Sequence, residues 1–267
     1  AVSFANSVMG ARTNREGGPG AIAAAIVGRT GAYGLHLDAH RRATLRVEVE
    51  TQPATIGDYS ALGAQVGRQT RQAVPYFEGL TLSDTDPLRE EKLKALGAAM
   101  AATGAVALYH VEGITPEARA GDVRGPKMET LVIDDLQTGY ALLSDPLAAV
   151  DLVWIGCPHA SLAEIVRVAE MVRGQTLRVP LWITCARPVR AMAEEAGLLA
   201  TIEDAGGGVF ADACMAIAPV RDLGFSAVAT ASAKGAYYLR NLAKVDAVFG
   251  PLTACVRAAM TGAWSHS

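Results

Sequence analysis

The sequence has 267 residues, of which 51% are hydrophobic and 19% are charged. This composition excludes extended disorder, and the length allows one large or two modest domains. The formal net charge of −3 argues against a nucleic-acid-binding or membrane-surface protein. Glycines and turn residues interrupt the longest apolar stretches, so none is expected to span a membrane.

The first hundred residues predict helices separated by a few strands. Helical spacing of apolar residues covers the ranges 21–29, 58–72 and 86–104. The third helix has Pro87 in its first turn and Gly104 at its end, which are ordinary start and stop signals. Residues 33–37 and 45–50 are predicted to be extended, the second with strict apolar–polar alternation.

From residue 104 onward, short apolar strands alternate with helices. The predicted strands are 105–111, 129–133, 150–156, 180–185, 206–212, 225–230 and 245–250. Such alternation is typical of parallel sheet covered by helices on both faces. The sequence therefore predicts an α/β fold with parallel or mixed sheets in two lobes. We expect a first lobe over 1–103 and a second over 104–267, which carries the cysteine loops.

Two of the four cysteines follow predicted strands of the second lobe. Cys157 lies in GCPHAS and Cys214 in DACMAIAP. Ligands of open parallel sheets bind at the carboxyl ends of strands, which suits a metal-ligating role. Ser161 can cap the next helix, and the amino end of that helix would favour a thiolate at Cys157. A buried, apolar thiol is the alternative at both positions.

The other two cysteines are weaker candidates. Cys255 lies in an apolar helical stretch and is expected in the core, whereas Cys185 ends a strand and is left open between core and site. No CxxC pair is present, so a zinc ribbon or ferredoxin-type cluster is not indicated. His159 shares the stiff loop of Cys157 and is a further candidate site residue.

A polar cluster follows the predicted strand 225–230. In ATASAKGAYY, Ser232 and Lys234 place a hydroxyl and a cation after the strand, a combination suited to holding a small carboxylate or phosphate. The alternative is a capped helix with a solvated lysine.

Six motifs occur in one order: NSVMGARTNREGGP, YHVEGITPEA, GCPHASLAEI, LWITCARPVRAMAE, DACMAIAP and TASAKGAYY. Together they resemble the large catalytic part of the aconitase X family, hydro-lyases of the wider aconitase superfamily. The resemblance covers essentially the whole chain and implies an aconitase-like fold. Members of the family dehydrate cis-3-hydroxy-L-proline or mevalonate 5-phosphate and carry an iron–sulfur cluster held by three cysteines.

Carried over residue by residue, the resemblance implies that Cys157 and Cys214 are ligands of a [2Fe-2S] or [4Fe-4S] cluster. The third ligand is expected upstream of this chain, and a small swivelling domain or subunit is expected as a partner. The opening motif is expected to line the substrate pocket. The predicted substrate-binding residues are Asn6, Ser7, Arg12, Thr13, His159, Ser232 and Lys234.

We therefore expect a cytoplasmic hydro-lyase that acts on a small β-hydroxy acid, with cluster iron as the Lewis acid. The alanine- and arginine-rich composition is typical of bacteria, and the bacterial members of the family that the chain resembles act on cis-3-hydroxy-L-proline. Its conversion to Δ1-pyrroline-2-carboxylate is therefore the main hypothesis. The alternatives are the large subunit of a mevalonate 5-phosphate dehydratase and a metal-free α/β binding module of the same fold. The general base is not assigned.

Overall fold

A computed structural model of the chain describes residues 2–70 and 73–265, and its strands form two parallel sheets. The strands are β1 Ala43–Val49, β2 Pro75–Glu78, β3 His110–Val111, β4 Arg124–Ile133, β5 Leu152–Ala160, β6 Leu181–Cys185, β7 Gly207–Ala211, β8 Ala227–Thr230 and β9 Asp246–Phe249. The first sheet has the order β3-β2-β1-β4 and the second β7-β6-β5-β8-β9. The predicted α/β fold with parallel sheets is confirmed.

Helices cover these sheets. They are α1 Val2–Ser7, α2 Gly18–Val27, α3 Ile56–Thr70, α4 Arg89–Gly104, α5 Pro116–Ala120, α6 Gln137–Ala141, α7 Leu162–Val172, α8 Arg187–Glu195, α9 Leu198–Asp204, α10 Ala233–Tyr238 and α11 Leu252–Thr261. Within the described ranges, none of them combines the length and apolarity needed to cross a bilayer.

Strand β5 is apolar on both faces, as a central parallel strand must be. Val153 and Ile155 join a core that contains residues of α7, α9 and α11. Leu152 and Trp154 join a second core, which contains residues of α3, α4 and α10. The second sheet is therefore covered on one face by its own helices and on the other partly by helices of the first lobe.

Small residues allow the helices of the two lobes to approach closely. Five alanines of these helices belong to the second core: Ala61 and Ala64 of α3, Ala99 of α4, and Ala233 and Ala236 of α10. Within the first lobe, an added Cβ at Gly63 of α3 would lie 2.5 Å from the carbonyl oxygen of Leu96 in α4, so a side chain there would separate these two helices. This packing holds α4 beside the second sheet.

The structure differs from the sequence-based prediction between residues 33 and 40. Residues 33–37 were predicted to be extended, and this is wrong: two short 3₁₀ turns, Gly34–His36 and Asp38–His40, occupy the segment. Gly34 has φ of 52°, outside the strand region. The Asn14 side chain also accepts a hydrogen bond from the Leu35 amide at 2.6 Å, which replaces a sheet partner.

The chain leaves the first sheet later than the predicted lobe boundary. Strands β3 and β4 belong to the first sheet, so the chain passes from one sheet to the other between residues 133 and 152 rather than near 104. The change of rhythm at residue 104 reflects the end of the long helix α4. The predicted strand 105–111 is reduced to His110–Val111, and residues 71 and 72 of the predicted helix 58–72 lie outside the described ranges.

Candidate active site

The second sheet has a topological switch point between β5 and β8. From β5 the chain continues through β6 and β7 on one side, and then returns to β8 and β9 on the other. Ligands of doubly wound sheets bind at the carboxyl ends of the strands beside such a point. Cys157 lies near the carboxyl end of β5 and Lys234 lies in the first turn of α10, the helix that follows β8, so two predicted site residues lie at this position.

Cys157 lies on a bulge at the end of β5. Ile155 pairs with Ile183 and Ala160 pairs with Cys185, so residues 156–159 lie opposite the single residue Thr184. Gly156 has φ of 105°, and a Cβ there would lie 2.1 Å from the Thr184 carbonyl oxygen. The close passage of the loop over β6 therefore requires glycine. The peptide bond between Cys157 and Pro158 is cis.

Two hydroxyls hold this bulge in place. Thr184 Oγ1 donates to the carbonyl oxygen of Gly156 at 2.9 Å. Ser232 Oγ donates to the carbonyl oxygen of Cys157 and accepts from the Gly235 amide at 3.0 Å, which caps α10. Ser232 is buried, and both of its hydrogen-bonding functions are used within the protein. The contacts make it a positioning residue for the cysteine loop, and its predicted role in substrate binding is not supported by them.

The helix that follows the cysteine loop begins as predicted, with Ser161 as its N-cap. The Glu164 amide donates to Ser161 Oγ at 3.3 Å and the Ser161 amide donates to Glu164 Oε2 at 3.0 Å, which completes a capping box. Burial opposes the expected thiolate at Cys157, however. Burial raises the pKa of the Cys157 thiol to about 11, although the positive charge of Lys234 acts in the opposite direction.

Cys157 and Cys214 line one cavity of about 550 Å³. Cys157 is buried and Cys214 is exposed. His159 links their loops, because its Nε2 lies 2.7 Å from the carbonyl oxygen of Ala213. The side chains predicted to hold a metal thus face a shared space, as do His159 and Lys234.

The amino-terminal motif contributes differently from the prediction. Asn6 donates to the carbonyl oxygens of Thr13 and Ala107 and accepts from the Thr13 amide, while Ser7 accepts from the Tyr109 amide at 2.9 Å. These buried groups fasten the segment to the first lobe, so the geometry does not support their expected contact with substrate.

Arg12 and Thr13 are also occupied locally. Arg12 forms an ion pair with Asp38 and lines a different cavity, and Thr13 Oγ1 accepts from the Arg15 amide at 3.0 Å. The part of the segment that lines the cysteine cavity is instead apolar: Phe4, Ala5 and Met9.

Sequence reasoning missed Lys94, which lines the same cavity from α4. Its ammonium donates to the carbonyl oxygen of His159 at 3.3 Å. In the sequence Lys94 is one of several charged residues in REEKLK, which is typical of a solvated helix face. Only the packing of α4 against the second lobe distinguishes it.

Acidic side chains lie behind the cysteine loop rather than in this cavity. Glu91 and Glu164 line a small adjoining cavity of about 20 Å³, which shares Lys94, Gly156, Cys157 and Pro158 with the larger one. Burial raises the pKa of Glu164. None of the described residues that line the larger cavity is Asp or Glu.

The cysteines fit part of a metal site. Cys157 and Cys214 offer two sulfur donors to one cavity, which is compatible with two ligands of an iron–sulfur cluster. The described residues contain no group of three or more His, Cys, Asp or Glu side chains that could hold a metal ion, so a cluster bound here would need a further donor from outside them. Cys185 and Cys255 are fully buried in the core that contains Val153 and Ile155 of β5, as expected for Cys255.

The fold and this cavity define a doubly wound α/β protein with two thiols and two ammonium groups around a shared space. The chain belongs to the aconitase X family. Residues 1–39, 43–141 and 150–261 match the models of the aconitase X first, second and third domains. The holo-form crystal structure of Thermococcus kodakaraensis aconitase X superimposes with a TM-score of 0.87 at 44% identity, covering 97% of this chain and 66% of that one.

The similar proteins are dehydratases, so the family is one of hydro-lyases. Phosphomevalonate dehydratase large subunits from Methanocaldococcus jannaschii and Thermococcus kodakarensis are 43% and 46% identical over 94% and 90% of this chain. The cis-3-hydroxy-L-proline dehydratase of Pseudomonas aeruginosa is 36% identical over 98% of the chain. The chain spans 64% and 61% of the lengths of the two large subunits, and 47% of the length of the third protein.

Proposed function

We propose that this chain forms most of the large subunit of a phosphomevalonate dehydratase that works with a small subunit in the cytoplasm. The main hypothesis from the sequence, a cis-3-hydroxy-L-proline dehydratase, has weaker support. Identity to the two large subunits is 43% and 46%, against 36% to the hydroxyproline enzyme. The alternative raised from the sequence is therefore the better supported one.

The charge of the cavity is the observation that carries this proposal. Lys94 and Lys234 line it, and none of its described lining residues is acidic. Hydroxyproline is a zwitterion, and its ammonium group would need a carboxylate or other acceptor once removed from water. Phosphomevalonate carries a carboxylate and a phosphate and no cation. Two ammonium groups complement it directly.

The residues of this chain would bind and orient the substrate. A lysine beside the substrate carboxylate lowers the cost of the negative charge that develops when the neighbouring carbon loses its proton. The apolar side chains of Phe4, Met9 and Met215 reduce contact of the bound substrate with water. We propose that the general base comes from outside this chain, from the small subunit or from the rest of the large subunit.

Cys157 and Cys214 are the residues proposed to hold an iron–sulfur cluster in this chain, with the third ligand from the rest of the large subunit. When bound, such a cluster supplies a Lewis acid for the departing hydroxyl group. Ser232 and Thr184 contribute indirectly, because they fix the backbone that carries Cys157.

The test compares two substrates on one preparation. The full-length large subunit that contains this chain is produced with its small subunit under anaerobic conditions, and water elimination from phosphomevalonate and from cis-3-hydroxy-L-proline is followed by mass spectrometry. Turnover of phosphomevalonate with at least about tenfold higher kcat/KM is expected. Turnover of hydroxyproline alone would overturn the proposal, and a folded, inactive, iron-free complex would favour the binding module.

A further inference from the structure

We propose that Lys94 is a specificity-determining residue that binds a second anionic group of the substrate, beside the His159 end of the cysteine loop. This inference rests on the proposed function, since it assumes a substrate with two anionic ends. It assigns the phosphate to Lys94 and the carboxylate to Lys234.

Lys94 differs from the other basic residues of its helix. Arg89 forms an ion pair with Asp84 at 3.2 Å, and Lys92 forms one with Asp86 at 2.7 Å. Lys94 forms no ion pair with a described residue and lines the larger cavity, although its positive charge also acts on Glu164, which lines the small cavity behind it. An unpaired ammonium group that lines a cavity is available to an anionic ligand.

The ammonium of Lys94 also has unused donors. It carries three N–H groups, and the described structure gives one hydrogen bond, to the carbonyl oxygen of His159. That bond fixes the position of the ammonium group and leaves two donors for a ligand. A phosphate has several acceptor oxygens and fits such a partly satisfied ammonium well.

Lys234 lies near a different point of the same loop. It follows Ser232, which binds the carbonyl oxygen of Cys157, whereas Lys94 binds the carbonyl oxygen two residues further on. Lys234 thus serves the end of the cavity where the proposed cluster would act on the hydroxy acid.

The two lysines come from helices that belong to different lobes, α4 and α10, and these helices pack together. Their separation is therefore set by the interface between the lobes rather than by one flexible loop. A two-point site of this kind discriminates by length and charge: a substrate that lacks the distal anion loses the Lys94 contact and keeps the Lys234 contact.

The experiment measures steady-state kinetics of the assembled enzyme with phosphomevalonate, and ligand binding by calorimetry. Lys94→Met is compared with Lys94→Arg, with Lys234→Met and with Lys127→Met, which removes an exposed lysine outside the cavity. We expect Lys94→Met to raise KM and the dissociation constant for phosphomevalonate about 10- to 100-fold with kcat within about threefold. Lys94→Arg should recover most of the binding, and Lys127→Met should leave both constants unchanged.

Mevalonate, which lacks the phosphate, separates the two lysines. Its dissociation constant should be unchanged by Lys94→Met and raised by Lys234→Met. The inference is overturned if Lys94→Met changes phosphomevalonate binding less than twofold, if it lowers kcat with KM unchanged, or if it weakens mevalonate equally. Should Lys94→Met fail to assemble, Lys94→Gln is judged by the same criteria. An enzyme that turns over only hydroxyproline overturns the proposed function and this inference together. If Lys94→Met has the same KM and dissociation constant for phosphomevalonate as the wild type, the inference alone is overturned.

Discussion

The Ser232 hydroxyl donates a hydrogen bond to the carbonyl oxygen of Cys157, across 75 positions of sequence. Ser232 Oγ also accepts a hydrogen bond from the Gly235 amide, so one side chain both caps α10 and fixes the cysteine loop. The bond joins the ends of β5 and β8 at the switch point of the second sheet.

Replacement of this serine should therefore have two effects. Ser232→Ala removes an N-cap and leaves the Cys157 carbonyl without its partner, and we expect a loss of about 1–3 kcal/mol in the free energy of unfolding. Because the loop is released, Cys157 should also react faster with a thiol reagent, which mass spectrometry can locate to this residue. Ser161→Ala is the matched control: it removes the cap of α7 and should leave the Cys157 reaction rate nearly unchanged. Equal rates in all three proteins would contradict the positioning role.

The bulge at Gly156 gives a second prediction. Alanine at this position must shift the β6 backbone, since its Cβ would lie 2.1 Å from the Thr184 carbonyl oxygen. We expect Gly156→Ala to destabilise the protein by roughly 3 kcal/mol or more, or to abolish folding. Gly174 also has positive φ, 68°, but has open space around it, so Gly174→Ala should cost only about 1 kcal/mol. Urea unfolding of the two variants measures the difference, and similar losses would show that the close approach is unimportant.

Much of this arrangement was predictable from local sequence. Cys157 and Cys214 follow strands of a parallel sheet, and strand ends of this kind meet at one edge, so their shared cavity followed from position alone. The Ser161 cap was predictable for a similar reason, since its partner lies three residues away. Contacts close in sequence, or imposed by sheet topology, leave a readable pattern.

The rest depends on contacts that sequence does not reveal. Asn6 resembles a ligand-binding amide until the structure shows it bonded to Ala107, 101 positions away. Lys94 resembles a solvated lysine until α4 is packed against the second lobe. The Cys157 thiol lies near a helix terminus, yet burial outweighs that effect and raises its pKa. In each case a distant part of the chain supplies the partner or the dielectric environment.

His110 provides a pH-dependent prediction. It is buried, its Nε2 lies 2.8 Å from the carbonyl oxygen of Arg41, and burial lowers its pKa from the ordinary value of 6.5. The unfolded chain therefore takes up a proton at a higher pH than the folded one, so this residue's contribution to stability is complete above about pH 6.5 and declines as the pH falls toward the folded value. Urea unfolding from about pH 7.5 to about 5.5 should show this decline in the wild type, and His110→Gln should show a shallower one. If the free energy of unfolding falls equally with pH in the wild type and in His110→Gln, the assigned role of His110 is wrong.

The proposed cluster ligands can be tested by removing them one at a time. After anaerobic reconstitution of the full-length large subunit, Cys157→Ser and Cys214→Ser should each lose most of the bound iron and sulfide, because oxygen is a poor replacement for thiolate at iron. Cys255→Ser is the control: this thiol is fully buried in the core, so the variant should lose stability while it keeps the iron content of the wild type. Since Cys157 is buried and Cys214 is exposed, Cys157→Ser should also be the more destabilising of the two site variants. If Cys157→Ser or Cys214→Ser keeps the iron and sulfide content of the wild type, that cysteine is not a cluster ligand. If all three variants lose iron, the loss reflects unfolding rather than removal of a ligand.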